Sequence, residues 1–498
     1  MTLPAIGVKE VKIIITYLCC MRWITSVRSR LKNVFDAIGN EKLKHTLLQS
    51  IPFWIASFIT GLVAIGFDQL FVYTEDAFSW IMQQHRWFIF MLAPACFFIS
   101  WWLCKKFAPY AKGSGIPQVL AATELANPRY NHLLSKFLSL RIIVVKIISS
   151  LFKVLGGGIA GREGPTIQIA ASIFTVINNA LPAWWPKVSK KNAIVVGAAS
   201  GLAAAFNTPL GGIVFAIEEL SKTHLRFFKS ALFTAVIIAG LTAISIHGPY
   251  LYLGYPDLTH VSGRVFWGVA IAAVMAGIAG AAMCKLILKL MAWLKSNSQK
   301  ISALSIVLIA SLLMALLIFF LGNGIAGTGK HMMVTMLFTD DKTIPWYMPV
   351  AKMGGLIISY CAGGAGGVFA PSLSMGAAFG SLVSQWFEYS AGNSNLVILC
   401  GMVAFLTGVT RSPFTAVILV LEMTDRHSVI FQLMLAGLLA NLAAILIDRV
   451  SFYEHNMHSY MREVLTEDRN REEIPDAASD PAVPGADEGE EENKKAAD

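Results

Sequence analysis

An all-helical, polytopic membrane protein, built from two inverted-topology repeats of tilted and broken helices, is the fold class this sequence predicts. Three observations carry that reading. Of the 498 residues, 55% are hydrophobic and only 14% charged, about half the charged fraction of an average soluble protein. Apolar runs such as "FIFMLAPACFFISWWL" and "VLIASLLMALLIFFL" recur between residues 50 and 450, and a bilayer-spanning helix needs roughly 20 such residues. The third observation is that the chain matches itself at a nearly constant offset.

The match is clearest between "VGAASGLAAAFNTPLGGIVFAIEE" (196–219) and "CGMVAFLTGVTRSPFTAVILVLEM" (400–423), which align without gaps at an offset of 204. Gly197/Gly401, Leu202/Leu406, Pro209/Pro413 and Glu218/Glu422 are identical pairs. Upstream, "GGGIAGREGPTIQIAA" aligns with "GGAGGVFAPSLSMGAA", setting Pro165 against Pro371 at an offset of 206 and Glu163 opposite Phe369. A weaker echo sets "GSG" (113–115) against "GTG" (327–329). Apolar segments resemble one another by chance, but chance does not keep one order and one offset. The expected organisation is therefore a first membrane repeat at 47–250 and a second at 251–465.

Two flanking segments complete the chain. Residues 1–46 hold the apolar stretch "IIITYLCCM" with Lys12 before it and Arg22, Arg28 and Arg30 after it. A signal peptide has this charge pattern, but no small-residue cleavage site follows, and a basic helix on the cytoplasmic surface is the preferred reading. Residues 466–498 carry twelve Asp/Glu against four Lys/Arg, with Pro475, Pro481 and Pro484. Such a segment reads as a disordered acidic tail. Seven scattered cysteines, with no Cys-x-x-Cys spacing, suggest neither a zinc site nor a disulfide framework.

The net charge is +9, and without the acidic tail it is +17. Positive-inside topology explains that excess, and attraction of an anion is a compatible second reading. The basic clusters Lys42/Lys44, Lys105/Lys106/Lys112, Lys187/Lys190/Lys191, Lys222/Arg226/Lys229 and Lys285/Lys289/Lys295/Lys300 are placed on the cytoplasmic side, with both termini. The segment 247–263 has no Lys or Arg and is placed outside.

The breaks in the apolar runs are "GSGIP" (113–117), "GREGP" (161–165) and "GGVFAP" (366–371). Each is glycine-rich and ends in a proline just ahead of an apolar run. Proline suits the first turn of a helix, and glycine lets backbone approach a ligand closely. Three helix N-termini meeting inside a membrane then offer N–H groups and positive dipole ends to an anion. Paired, interrupted segments in two related halves are a mark of secondary transporters.

In this order on a two-repeat apolar chain, followed by a tyrosine near the end of the membrane region, these motifs closely resemble the CLC family of chloride channels and chloride/proton exchangers, over residues 50–460. The resemblance implies a homodimer in the cell membrane with one pathway in each subunit, an interface near 211–220 and 430–448, and no cofactor beyond the transported chloride and protons. It implies that Ser114 and Tyr453 supply side-chain donors to chloride, with Tyr460 the competitor for the second role. The backbone of Gly115, Ile116, Val368 and Phe369 would complete the cradle. Glu163 matches the gating glutamate, which blocks the site when charged and admits chloride when protonated. Glu219 matches an inner proton relay, and Arg162 would shape the anion entrance. The blander readings are a Glu163–Arg162 structural pair and two solvated acids at 218–219. Glu218 has a repeat counterpart in Glu422, which points to a structural role.

Exchange of chloride for protons is the expected function, with a passive channel of the same fold as the alternative. An intramembrane enzyme would need a Ser/His or paired-Asp constellation, which the apolar runs do not present around Ser114. Nothing suggests a nucleic-acid partner; the expected partners are chloride, protons, lipid and a second copy of the chain.

Overall fold

A computed structural model describes residues 41–472, apart from 183–184, 187, 222–228, 249–250, 259–262 and 341. The expected N-terminal helix falls almost wholly outside these residues, as do Lys187, Lys222 and Arg226 of the basic clusters.

The first half runs α1 (Glu41–Gln84), α2 (Ile89–Phe107), α3 (Ile116–Glu124), α4 (Leu140–Leu155), α5 (Glu163–Ala180), α6 (Lys190–Phe206), α7 (Pro209–Phe215) and α8 (Lys229–His247). The second half repeats the series: α9 (Val265–Ser296), α10 (Ala303–Leu321), α11 (Lys330–Phe338), α12 (Met348–Cys361), α13 (Phe369–Trp386), α14 (Ala391–Thr410), α15 (Pro413–Thr424) and α16 (Ile430–Ile445). A last helix, α17 (Phe452–Glu472), has no helical counterpart among the described residues. Six helices among the described residues are long and apolar enough to cross a membrane. Packing repeats with the sequence: α5 lies on α6 as α13 lies on α14, and α1 meets α6 and α8 as α9 meets α14 and α16.

Local chemistry sets the helix ends. Proline occupies the first turn of α3, α7, α12 and α15, where a missing N–H leaves nothing unpaired. Ser139, Ser189 and Ser302 cap α4, α6 and α10 by accepting from the N–H of Ile142, Asn192 and Ser305. At equivalent positions α6 and α14 stop on left-handed residues, Asn207 (φ 57°) and Arg411 (φ 63°). Arg411 is an unfavoured residue for that conformation. Its guanidinium hydrogen-bonds the carbonyls of Gly408, Ala444 and Asp448, which holds the turn.

A two-fold relation between the halves is visible in individual bonds. Gly161 and Gly367, 206 residues apart, donate to each other's carbonyl at 2.7 Å in both directions. A pair of equivalent residues that bond each other lies on the symmetry axis. Away from that axis the bonds are exchanged. Glu422 accepts from the N–H of Leu210 (3.0 Å) and Gly211 (2.7 Å) at the start of α7. Glu218 accepts from the N–H of Phe414 (3.2 Å) and Thr415 (2.7 Å) at the start of α15. Each half thus caps a helix of the other, and the structural role expected of Glu218 has a geometry.

These are charge-assisted bonds to the positive end of a helix, each about 1.5–3 kcal/mol when fully formed. Both glutamates are half-exposed, so the lower figure applies. Glu422→Ala is expected to cost about 2 kcal/mol and to lower the thermal unfolding midpoint in detergent by several degrees. Glu218→Ala should do the same. An unchanged midpoint in both variants would show that water replaces the caps without loss.

The boundary expected at Leu465 is corrected. Helix α17 continues to Glu472, and the first acidic residues of the expected tail are docked. Lys136 Nζ contacts Glu467 Oε2 at 2.9 Å, and His132 Nε2 contacts Asp468 Oδ2 at 3.0 Å. Two of the acids that made this stretch look disordered are partners for a basic loop after α3, and the rest of the expected tail, 473–498, lies outside the described residues. The segment placed outside the membrane, 247–263, is also more than a surface loop. Within it Tyr252 and Leu253 are buried, and the Leu253 N–H donates to the Met423 carbonyl at 3.1 Å.

Candidate functional site

The three glycine-rich breaks meet. Gly113 donates to the Gly364 carbonyl at 2.7 Å, Gly366 donates back to Gly113 at 3.1 Å, and the Gly161–Gly367 pair joins the other two segments. Residues 361–368 therefore bridge the starts of α3 and α5 while leading into α13. The approach is backbone to backbone. A Cβ on Gly115 (φ +107°) would stand 2.6 Å from the Gly164 carbonyl oxygen, and one on Gly164 would stand 2.5 Å from Ser114 Oγ. No side chain fits at either position, so glycine is required there.

The N–H groups at these ends precede the first intrahelical bonds. Those bonds are Val119 to Gly115, Thr166 to Arg162 and Ser372 to Val368. Each helix therefore begins with unused donors, and Pro117, Pro165 and Pro371 have none to waste. One expected donor drops out: the Gly115 N–H is taken by Gln118 Oε1 at 3.0 Å, a local cap from the third helical residue. The groups at Ile116, Val368 and Phe369 remain at buried positions.

Glu163 lies at the start of α5, fully buried. Its carboxylate faces its own N–H and that of Ala370 in α13. Oε1 lies 3.5 Å from the Tyr252 hydroxyl and 3.9 Å from Arg162 Nε. Arg162 is ion-paired to Asp68 of α1 and only 4% exposed. It is thus a shared, buried partner rather than a free cation at an entrance. Lys330 lines a cavity of about 670 Å³ with Glu75, Thr328 and His331.

Ser114 and Tyr453 are completely buried, and neither hydroxyl has a hydrogen-bond partner in the protein. The two side chains are neighbours, without a hydrogen bond between them. A buried hydroxyl left without a partner costs about 1–3 kcal/mol, so two together mark a place built for a ligand. The hydroxyl of Tyr460, the other candidate, faces Gly113, and its ring packs on Tyr110 and under Lys112.

Glu219 lies in the π-turn Ala216–Leu220 after α7, buried, with Ser412 Oγ donating to its Oε2. It lines a second, smaller cavity of about 150 Å³ with Glu124, Arg411 and Ser451. Tyr453 lies within reach of both Ser114 and Glu219, which places it between the helix ends and that cavity.

The sequence reading overlooked a pair of buried lysines. Lys146 Nζ donates to the carbonyls of Ala111 (2.9 Å) and Gly113 (2.8 Å) ahead of α3. Lys352 Nζ donates to the Ile325 carbonyl (3.0 Å) ahead of α11. Both are fully buried, and they are 206 residues apart, the offset of the GREGP and GGVFAP breaks. A third, Lys153, donates to the Gly363 carbonyl at 2.8 Å. Lysines inside apolar helices are costly and are kept for a reason. Here they hold the glycine loops through their carbonyls. The signal was available: a lone lysine in "VVKII" and in "VAKMG" at the repeat offset.

Comparison with known proteins agrees with this architecture. A family model described as "Voltage gated chloride channel" matches residues 96–444. The H(+)/Cl(-) exchange transporter ClcA of Klebsiella pneumoniae subsp. pneumoniae is 27% identical over 414 residues, 78% of this chain and 83% of the relative. The protein of the same name from Citrobacter koseri is 27% identical over 407 residues, with the same shares covered. Among solved structures, a slow cyanobacterial Cl-/H+ antiporter superposes with a TM-score of 0.70 at 22% identity, covering 83% of this chain and 98% of the other.

Proposed function

The chain belongs to the voltage-gated chloride channel (CLC) family, and we propose that it exchanges chloride for protons across a membrane. The observation that carries this reading is the carboxylate of Glu163 set among helix N-termini, beside two buried hydroxyls with no protein partner.

Chloride is the substrate the cradle suits. Ser114 Oγ, Tyr453 Oη and the N–H groups of Ile116, Val368 and Phe369 offer donors without a full charge. Binding is then favourable yet weak enough for release. The carboxylate of Glu163 is an anion of similar demands, so in its charged form it competes for the same donors. Protonation removes its charge, weakens its hold on the helix ends and lets chloride take its place. The same group therefore carries a proton in one direction and opens the path for chloride in the other. Its looseness from Arg162, at 3.9 Å, leaves it free to move.

Protons reach Glu163 from the other side through Glu219, which borders its own cavity and is poised by Ser412. A passive channel has no need for a second buried acid there. The relatives named as exchangers support the same choice. We place both termini on the cytoplasmic side, following the basic clusters. We also propose a homodimer through the face carrying Leu210, Phe414, Phe431, Leu438 and Leu442, all exposed large apolar residues on α7, α15 and α16.

Purified protein in liposomes tests the function directly. With a chloride gradient imposed and no proton gradient, external chloride and pH are recorded together. Exchange drives protons uphill as chloride runs down. Chloride movement with no uphill proton flux, under conditions that clamp the voltage, would leave the channel reading in its place.

A further inference from the structure

Tyr252 belongs to the segment that joins the two repeats. The segment leaves α8, turns back into the protein, and is pinned where the Leu253 N–H meets the Met423 carbonyl at 3.1 Å. Tyr252 is 2% exposed. Its ring packs edge-on against Phe206 at 5.1 Å, and Phe206 in turn packs on Phe369 at 5.5 Å. The Lys330 ammonium lies 4.4 Å over the ring face and the Arg162 guanidinium 6.0 Å from it. With the ring held on these sides, the hydroxyl stands 3.5 Å from Glu163 Oε1.

We propose that Tyr252 is a positioning residue that latches Glu163 in the anion-binding position, so that the segment linking the repeats sets how readily the gate leaves. The inference rests on the reading of Glu163 as the gate. A phenol O–H donates to a carboxylate, and it favours the charged form over the protonated one. The cation over the ring draws electron density from it and strengthens the donor. The other groups facing Glu163 are accounted for. Arg162 precedes it on the same break and is shared with Asp68 of α1. Glu75, also on α1, accepts from the Thr328 N–H and hydroxyl at 2.8 and 3.0 Å. Lys330 sits at the start of α11 above the ring, with His331 beside it on the larger cavity. Helix α13 contributes the Ala370 N–H, and Phe206 of α6 packs on the Tyr252 ring. Among these, the tyrosine hydroxyl is a donor that can be deleted without removing a charge.

Tyr252→Phe keeps the ring, its packing and the cation above it, and removes the hydroxyl alone. In liposomes, chloride turnover is recorded against pH for the wild type, Tyr252→Phe, Glu163→Gln and the double variant. Turnover should rise as pH falls, because protonation frees the gate. Without the hydroxyl the charged, latched form is weaker, so protonation and departure occur at higher pH. The midpoint is expected to shift upward by about half to one pH unit, a loss of differential stabilisation of the kind one hydrogen bond supplies. In the Glu163→Gln background the same substitution should change nothing, since no titrating gate remains for it to hold. An unshifted midpoint in Tyr252→Phe overturns the latch. So does a loss of flux of equal size in both backgrounds, which would make Tyr252 a structural residue only. If Glu163→Gln itself leaves the wild-type pH dependence intact, the gate reading fails first, and the latch with it.

Discussion

Glu163→Gln is expected to abolish proton movement while chloride continues to cross. The amide has the shape of the protonated acid and cannot titrate, so the site stays open to chloride at every pH. Proton flux should fall by on the order of 100-fold or more, the usual contribution of a positioned proton-transfer group. Chloride turnover should at the same time lose its dependence on pH. The variant in liposomes with a chloride gradient gives both readings in one trace. Proton pumping that survives at wild-type rate would remove Glu163 from the mechanism, and with it the argument that the charged break between two apolar helices exists for its titration.

The second large effect is at the opposite end of the path. Glu219→Gln should also cut proton flux by on the order of 100-fold, but chloride turnover should keep its pH dependence because Glu163 still titrates. This difference separates a relay from a gate. Ser412, whose hydroxyl donates to Glu219, can bond an amide oxygen equally well, so the local structure is expected to hold. If the variant still drives protons uphill, they enter by another route. Glu218 and Glu124, on the same cavity, are the first places to look.

What could be read from the sequence was what repeats. The offsets of 204 and 206 residues located both halves, the broken helices and the equivalence of Glu218 with Glu422, because a duplicated fold repeats its chemistry along the chain. Glu163 stood out because two charges inside an apolar stretch need a reason. Features made by contacts distant in sequence were not legible. Tyr252 looked like part of an outward loop, and its meeting with Glu163, 89 residues away, depends on how the linking segment turns back. The Gly115 N–H looked available for an anion until Gln118 was seen to take it. Helix α17 ran past Leu465 because its acids have partners at His132 and Lys136, and composition alone cannot tell a solvated acid from a docked one. The lysine pair was legible and overlooked, since a lone lysine in an apolar run is easily assigned to a helix end.

The exchanged caps of Glu218 and Glu422 bear on how such a chain can be assembled. Neither half closes its own broken helix: α7 waits for an acid from the second half, and α15 for one from the first. A half expressed alone would therefore leave a helix start bare in a medium with little water to cover it. Two copies of one half, inserted in opposite directions about the Gly161–Gly367 contact, would cover each other. Such an arrangement could be built by separate identical chains, and fusing them into one gene would change the stoichiometry of assembly without altering a single cap.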